Sequence, residues 1–300
     1  MQKQKIIAAL AALSITACNE PPRPKPVAVV PVKPTPAPVA RVVELRDAGA
    51  PVAPVTPPPP VDSLALSHES PGVDHLGRAR ALQAEGDVKG ALTEARRALF
   101  TTPSDVETLT VVARLAKKAR EPAMSAEAWG RISVLVSDDA APLVAQSRAL
   151  LSSGDAVGAV IAGRAAIVRD AGDAEAFQAV GLAQLAQKDL AGAIASFEKA
   201  VELDPTHGYA LNNLGLACLR ANMNDRAVEV LERAAEQLPM VAYVQNNLGI
   251  ALERVGRTDE ATAAYQQAMD LSPKYVKARV NAARVAKAVI EVDRVEDHEE

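Results

Sequence analysis

Aromatic side chains are scarce in this sequence, at 3% of 300 residues, with a single tryptophan, Trp129. A β-sandwich core leans on aromatic and β-branched residues, whereas the abundant Ala, Leu and Val here suit closely packed helices. Cysteine is scarcer still: Cys18 and Cys218 are the only two, too few for a disulfide framework. The four histidines, His68, His75, His207 and His298, include no two at metal-ligand spacing, and neither HExxH nor CxxC occurs. A phosphate-binding loop and a GxSxG nucleophile elbow are also missing. The paired carboxylates Asp138-Asp139 and Asp259-Glu260 sit where turns or helix starts are expected, and helix capping accounts for them better than acid-base chemistry. The expectation is a protein that is no enzyme and takes no cofactor or metal. Its formal charge of −4 carries no nucleic-acid signature.

What is present begins with a signal. Lys3 and Lys5 precede an apolar run from Ile6 to Ala17, too short to span a bilayer but suited to a secretory signal peptide over residues 1–17. The run ends in Ile15-Thr16-Ala17-Cys18, which resembles the bacterial lipobox, where cleavage leaves a lipidated N-terminal cysteine. The alternative is an ordinary signal peptide with an incidental cysteine. Acylation of Cys18 would anchor the chain in a membrane and rule out a disulfide, leaving Cys218 as a small core residue. By the sorting rule of Gram-negative lipoproteins, Asn19 after the cysteine implies the outer membrane, with the rest of the chain facing the periplasm. Residues 18–63 then form a Pro/Val/Ala tract that includes the run Pro57 to Pro60. Such a tract lacks bulk to pack and reads as a disordered, semi-rigid tether.

The rest of the chain is organised by a period of 34 residues. Gly181, Gly215 and Gly249 are 34 apart, as are Ala193, Ala227 and Ala261, Ala200, Ala234 and Ala268, and Pro205, Pro239 and Pro273. Small residues at the eighth, twentieth and twenty-seventh positions let two helices approach closely, larger ones such as Phe197 and Tyr265 fill the remaining space, and the proline ends the second helix. This pattern resembles the tetratricopeptide repeat (TPR), a 34-residue helix-turn-helix unit. The resemblance implies an all-α fold, a right-handed superhelical solenoid, because one hairpin cannot bury its apolar face alone.

Carried backwards, the frame predicts six repeats: 72–105, 106–139, 140–173, 174–207, 208–241 and 242–275. The first carries Ala79, Gly86, Ala91, Ala98 and Pro103 at family positions. The second and third depart from the pattern, with Ile132 in place of Ala and Ser137 and Ala171 in place of Pro. A capping helix is expected over 276–290, followed by an acidic tail over 291–300.

In TPR proteins the first helix of each repeat lines a concave groove through positions 2, 5, 6, 9, 12 and 13, where peptides bind. Basic residues at these positions are Arg80, Arg114, Arg148, Lys117, Lys118, Arg220 and Arg254, joined by Lys277, Arg284 and Lys287 on the cap helix, against only Glu107, Glu175 and Glu253. A positive groove on a negative protein would steer an acidic partner. The alternative is that these side chains pair with acids on neighbouring helices. Asn213, Asn247 and Asn281 recur at position 6, Asn212 and Asn246 at position 5 and Tyr209 and Tyr243 at position 2. Together they make a candidate platform for an extended peptide, or else simple inter-repeat packing.

The resemblance implies a lipid-anchored, non-catalytic scaffold that docks an envelope protein through an acidic or extended segment, in the assembly of a pilus, secretion or motility complex. Two alternatives stand beside it. One is an organiser of peptidoglycan enzymes. The other is a self-associating homo-oligomer stacked through the end of the first repeat, where Ala95 replaces an aromatic and packing is expected to be light.

Overall fold

A computed structural model describes residues 62–67 and 72–296. Cys18, the signal peptide and most of the tether lie outside these residues, as does the end of the acidic tail. Thirteen helices and no strand occur among the described residues, and the chain is a TPR-like helical solenoid. Six antiparallel pairs follow one another: α1 (His75–Glu85) with α2 (Val88–Thr101), α3 (Val106–Lys118) with α4 (Pro122–Leu135), α5 (Ala141–Ser153) with α6 (Ala156–Arg169), α7 (Ala174–Ala186) with α8 (Leu190–Leu203), α9 (Gly208–Arg220) with α10 (Asn224–Gln237), and α11 (Ala242–Arg254) with α12 (Thr258–Leu271). The thirteenth, α13 (Val276–Glu296), packs on α12 and α11. It continues past the expected end at 290, so the expected tail is helical as far as Glu296. None of the described helices is long and apolar enough to cross a membrane.

Local chemistry sets the boundaries. Asp74, Asp87, Asp105, Asp155, Asp173 and Asp189 cap helix N-termini, each carboxylate accepting a hydrogen bond from a backbone N–H in the first turn. The turn inside every pair contains one left-handed residue at the same repeat position: Gly86, Arg120, Gly154, Lys188, Asn222 and Gly256. An L-residue there carries a steric cost that glycine does not. The six pairs nonetheless share one turn geometry, the irregular second and third repeats included.

Packing between the helices of a pair follows reciprocal size. A Cβ added to Gly181 would lie 2.6 Å from the ring of Phe197, one on Gly215 2.3 Å from Leu231, and one on Gly249 2.6 Å from Tyr265. In the third repeat the large member is missing, Gly163 facing Ser147, and Val180 of the next repeat approaches instead. Ser125 and Ser147 donate to the carbonyls of Ala113 and Ala159 on the partner helix of their pair.

The first repeat corrects two expectations. Asp62 and Ser63, assigned to the tether, belong to a strap over residues 62–67 that packs on α2 and α4. Leu64 is fully buried in the same apolar cluster as Ala95, Leu99 and Ile132. Arg96 donates to the Leu64 and Ser63 carbonyls, the Leu66 amide donates to the Arg96 carbonyl, and Asp62 pairs with Arg131. Ala95 is completely buried, so the light packing expected at this end is not found.

Candidate interaction groove

The first helices of the pairs carry the residues expected to line the groove, and their side chains divide into three sets. In the first set, basic groups are neutralised by the three expected acids. Arg80 pairs with Glu107, Arg148 with Glu175, and Arg284 with Glu253. The Arg148 guanidinium also donates to Gln178 at 3.0 Å. Burial opposes ionisation of Glu253, but hydrogen bonds from Arg284 and the Tyr265 hydroxyl outweigh it and hold the carboxyl below the usual range. Arg254 is committed differently, with Nη1 2.5 Å from the Leu219 carbonyl at the negative C-terminal end of α9. For these four residues, the reading as a free positive surface gives way to inter-repeat bonding.

The asparagines form the second set. Asn281 donates to Asn246 at 2.9 Å, Asn246 to Asn247 at 3.5 Å, Asn247 to Asn212 at 2.9 Å, and Asn212 to Asn213 at 3.4 Å. This relay runs in one direction across α13, α11 and α9. Asn212, Asn246 and Asn247 are buried, so their amides stitch repeats together instead of facing a ligand, and only Asn213 and Asn281 at the two ends are partly exposed. Tyr209 and Tyr243 are exposed beside the relay. Burial, and after it the charge of Tyr209, push the Tyr243 phenol above its ordinary value.

The third set retains its charge. Arg114, Lys117, Lys118, Arg220 and Lys277 are exposed and form no ion pair among the described residues. Three of the five stand together on α3. Two hollows meet there, sharing Arg114 and Lys117. One lies between α1 and α3 and is bordered by the Arg80–Glu107 pair. The other, of about 690 Å³, lies among α3, α4 and α5 and adds Arg120, Arg148 and Trp129 to its lining, with no acidic residue. Sequence reasoning missed Arg120 and Trp129. The signals were an arginine at the position that is glycine in repeats 1, 3 and 6, and the only tryptophan in the chain.

Two family models, both described as tetratricopeptide repeat, match the C-terminal part of the solenoid, over residues 184–248 and 242–275. These residues are tetratricopeptide repeats. The TPR solenoid is similar to the Cut9–Hcn1 hetero-tetramer of the APC/C, with a TM-score of 0.58 and 15% identity over 70% of this chain. That match spans 42% of the other chain, so the protein is equivalent to less than half of its length. It is also similar to pilF of Pseudomonas aeruginosa, with a TM-score of 0.55 and 18% identity over 70% of this chain and 96% of that one. At these identities the likeness is one of TPR fold. No curated protein matches the sequence. TPR solenoids present extended concave surfaces to protein partners.

Proposed function

We propose that the protein is a non-catalytic interaction scaffold, held at the bacterial outer membrane by lipidated Cys18, that docks an acidic or extended segment of an envelope partner in the groove of its first three repeats. The observation that carries this reading is the cluster of Arg114, Lys117 and Lys118, which remains charged after the three groove acids have been neutralised. The N-terminal motif supplies the anchor. Clustered like charge at a concave surface raises the association rate of an oppositely charged segment in a salt-dependent way.

The test compares the full chain with a variant carrying Arg114→Glu, Lys117→Glu and Lys118→Glu, both used to capture partners from envelope extract. A protein that the native chain retains, that salt releases and that the variant fails to retain supports the reading. Equal capture by both chains defeats it. Cys18→Ser should move the protein from the membrane to the soluble fraction, and persistence in the membrane would defeat the anchoring part.

A further inference from the structure

The hollow among α3, α4 and α5 lies where the groove lacks large and amide side chains. Position 6 of the fifth and sixth repeats holds Asn213 and Asn247, whose amides join the relay that closes α9 against α11. The third repeat has Ala145 there, and Ala113 and Ala149 contribute two more small side chains. The relay has no counterpart between α3 and α5, and a cavity opens there beside the indole of Trp129. The resulting cavity has an apolar lining of Trp129, Pro122 and alanines, and a rim of Arg114, Lys117, Arg120 and Arg148. Of these four cations only Arg148 has an ion-pair partner among the described residues, Glu175. Neutral fillers such as lipid tails would leave the rim uncompensated, and a bare inorganic anion would leave the indole and alanines unsatisfied.

Resting on the proposed groove function, the geometry points to this cavity as the anchor pocket for a peptide segment in which one aromatic or large aliphatic side chain is flanked by carboxylates. The apolar side chain enters against Trp129, and the flanking carboxylates meet Arg114, Lys117 and Arg120. The anchor supplies selectivity within acidic segments, which rim charge alone does not provide.

Because Trp129 is the only tryptophan, its emission reports occupancy directly. The full chain is titrated with three blocked pentapeptides: phenylalanine between two pairs of glutamates, the same with alanine at the centre, and the same phenylalanine between two pairs of lysines. The acidic phenylalanine peptide should saturate the signal and bind at least about tenfold more tightly than the alanine peptide, as burial of a phenyl group implies. The lysine peptide should not bind. Ala145→Phe, which fills the pocket from its apolar wall without adding a tryptophan, should erase the preference for phenylalanine while retaining acidic binding. Equal binding of the two acidic peptides, with both lost in an Arg114→Ser/Lys117→Ser variant, would overturn the anchor pocket and leave the acidic groove standing. Failure of both acidic peptides to bind would overturn the pocket and the groove together.

Discussion

Helices α6 and α10 hold equivalent places in the third and fifth repeats, and their outward faces are chemical opposites. At the same four positions α6 carries Val157, Ile161, Arg164 and Val168, and α10 carries Asp225, Glu229, Glu232 and Glu236. Val157, Ile161 and Val168 are 64%, 64% and 86% exposed. The inward faces differ less, because both supply small residues to the same close approach, Ala159 and Ala166 in α6 and Ala227 and Ala234 in α10, the exception being Gly163 where α10 has Leu231. Packing fixes the inner positions, and nothing in the fold fixes the outer ones. The groove repeats the contrast: amides stitch the fifth and sixth repeats together, while the second and third remain open around Trp129. The C-terminal repeats are thus built for cohesion, and the middle of the solenoid carries the accessible chemistry.

The widest test of this contrast is to remove the large side chain from each type of pair. Phe197→Ala empties a completely buried site and should cost about 3–5 kcal/mol, whereas Trp129→Ala, already bordering a cavity, should cost at least about 1 kcal/mol less. Equal shifts in urea unfolding would erase the distinction. Next comes Leu64→Ala, expected to cost about 2–4 kcal/mol and to expose α2 amides to hydrogen exchange while leaving α9 to α11 protected.

Acid should separate the two ends of the solenoid from the α9–α10 pair between them. Burial opposes ionisation of both Asp62 and Glu94, yet hydrogen bonds from Arg131 to Asp62, and from His75 and Arg97 to Glu94, outweigh it and hold both carboxyls below the ordinary range; Glu253 behaves likewise. A folded-state pKa below the unfolded value gives stability that is fully present above the unfolded pKa and is lost as pH falls through the folded one. Exchange protection of the strap and of the α11–α13 contact should therefore fall below about pH 4, before that of α9 against α10. Simultaneous loss everywhere would argue against local control. The smallest effect is expected from Ile161→Glu with Val168→Glu, which should change stability by no more than about 0.5 kcal/mol, because both side chains face solvent. A larger loss would show that the α6 face is covered.

The helical fold was legible because glycine, alanine and proline recur where backbones must approach or turn, a constraint that survives in Gly181, Gly215 and Gly249. It was less legible where other residues meet the same demand. Arg120, Lys188 and Asn222 adopt the left-handed turn that Gly86 adopts, and their identities do not announce it. The strap was hidden because Leu64 and Leu66 follow a proline-rich tract and carry no period of their own. Groove charge could be placed on helices but not balanced, since the partner of each arginine comes from another repeat: Glu107 for Arg80, Glu175 for Arg148 and Glu253 for Arg284. Asn246 and Asn247 misled for a related reason, as an amide at a groove position serves equally to face a ligand or to bridge repeats.

The strap also decides how the solenoid meets a pull. A load arriving through the chain ahead of Asp62 reaches α4 first, through the Asp62–Arg131 pair, and then α2, through Arg96 and the buried Leu64. The helix that follows in sequence, α1, lies beyond this grip. Such a load would be shared between two repeats, so residues 62–67 act as a strain relief where the chain enters the solenoid.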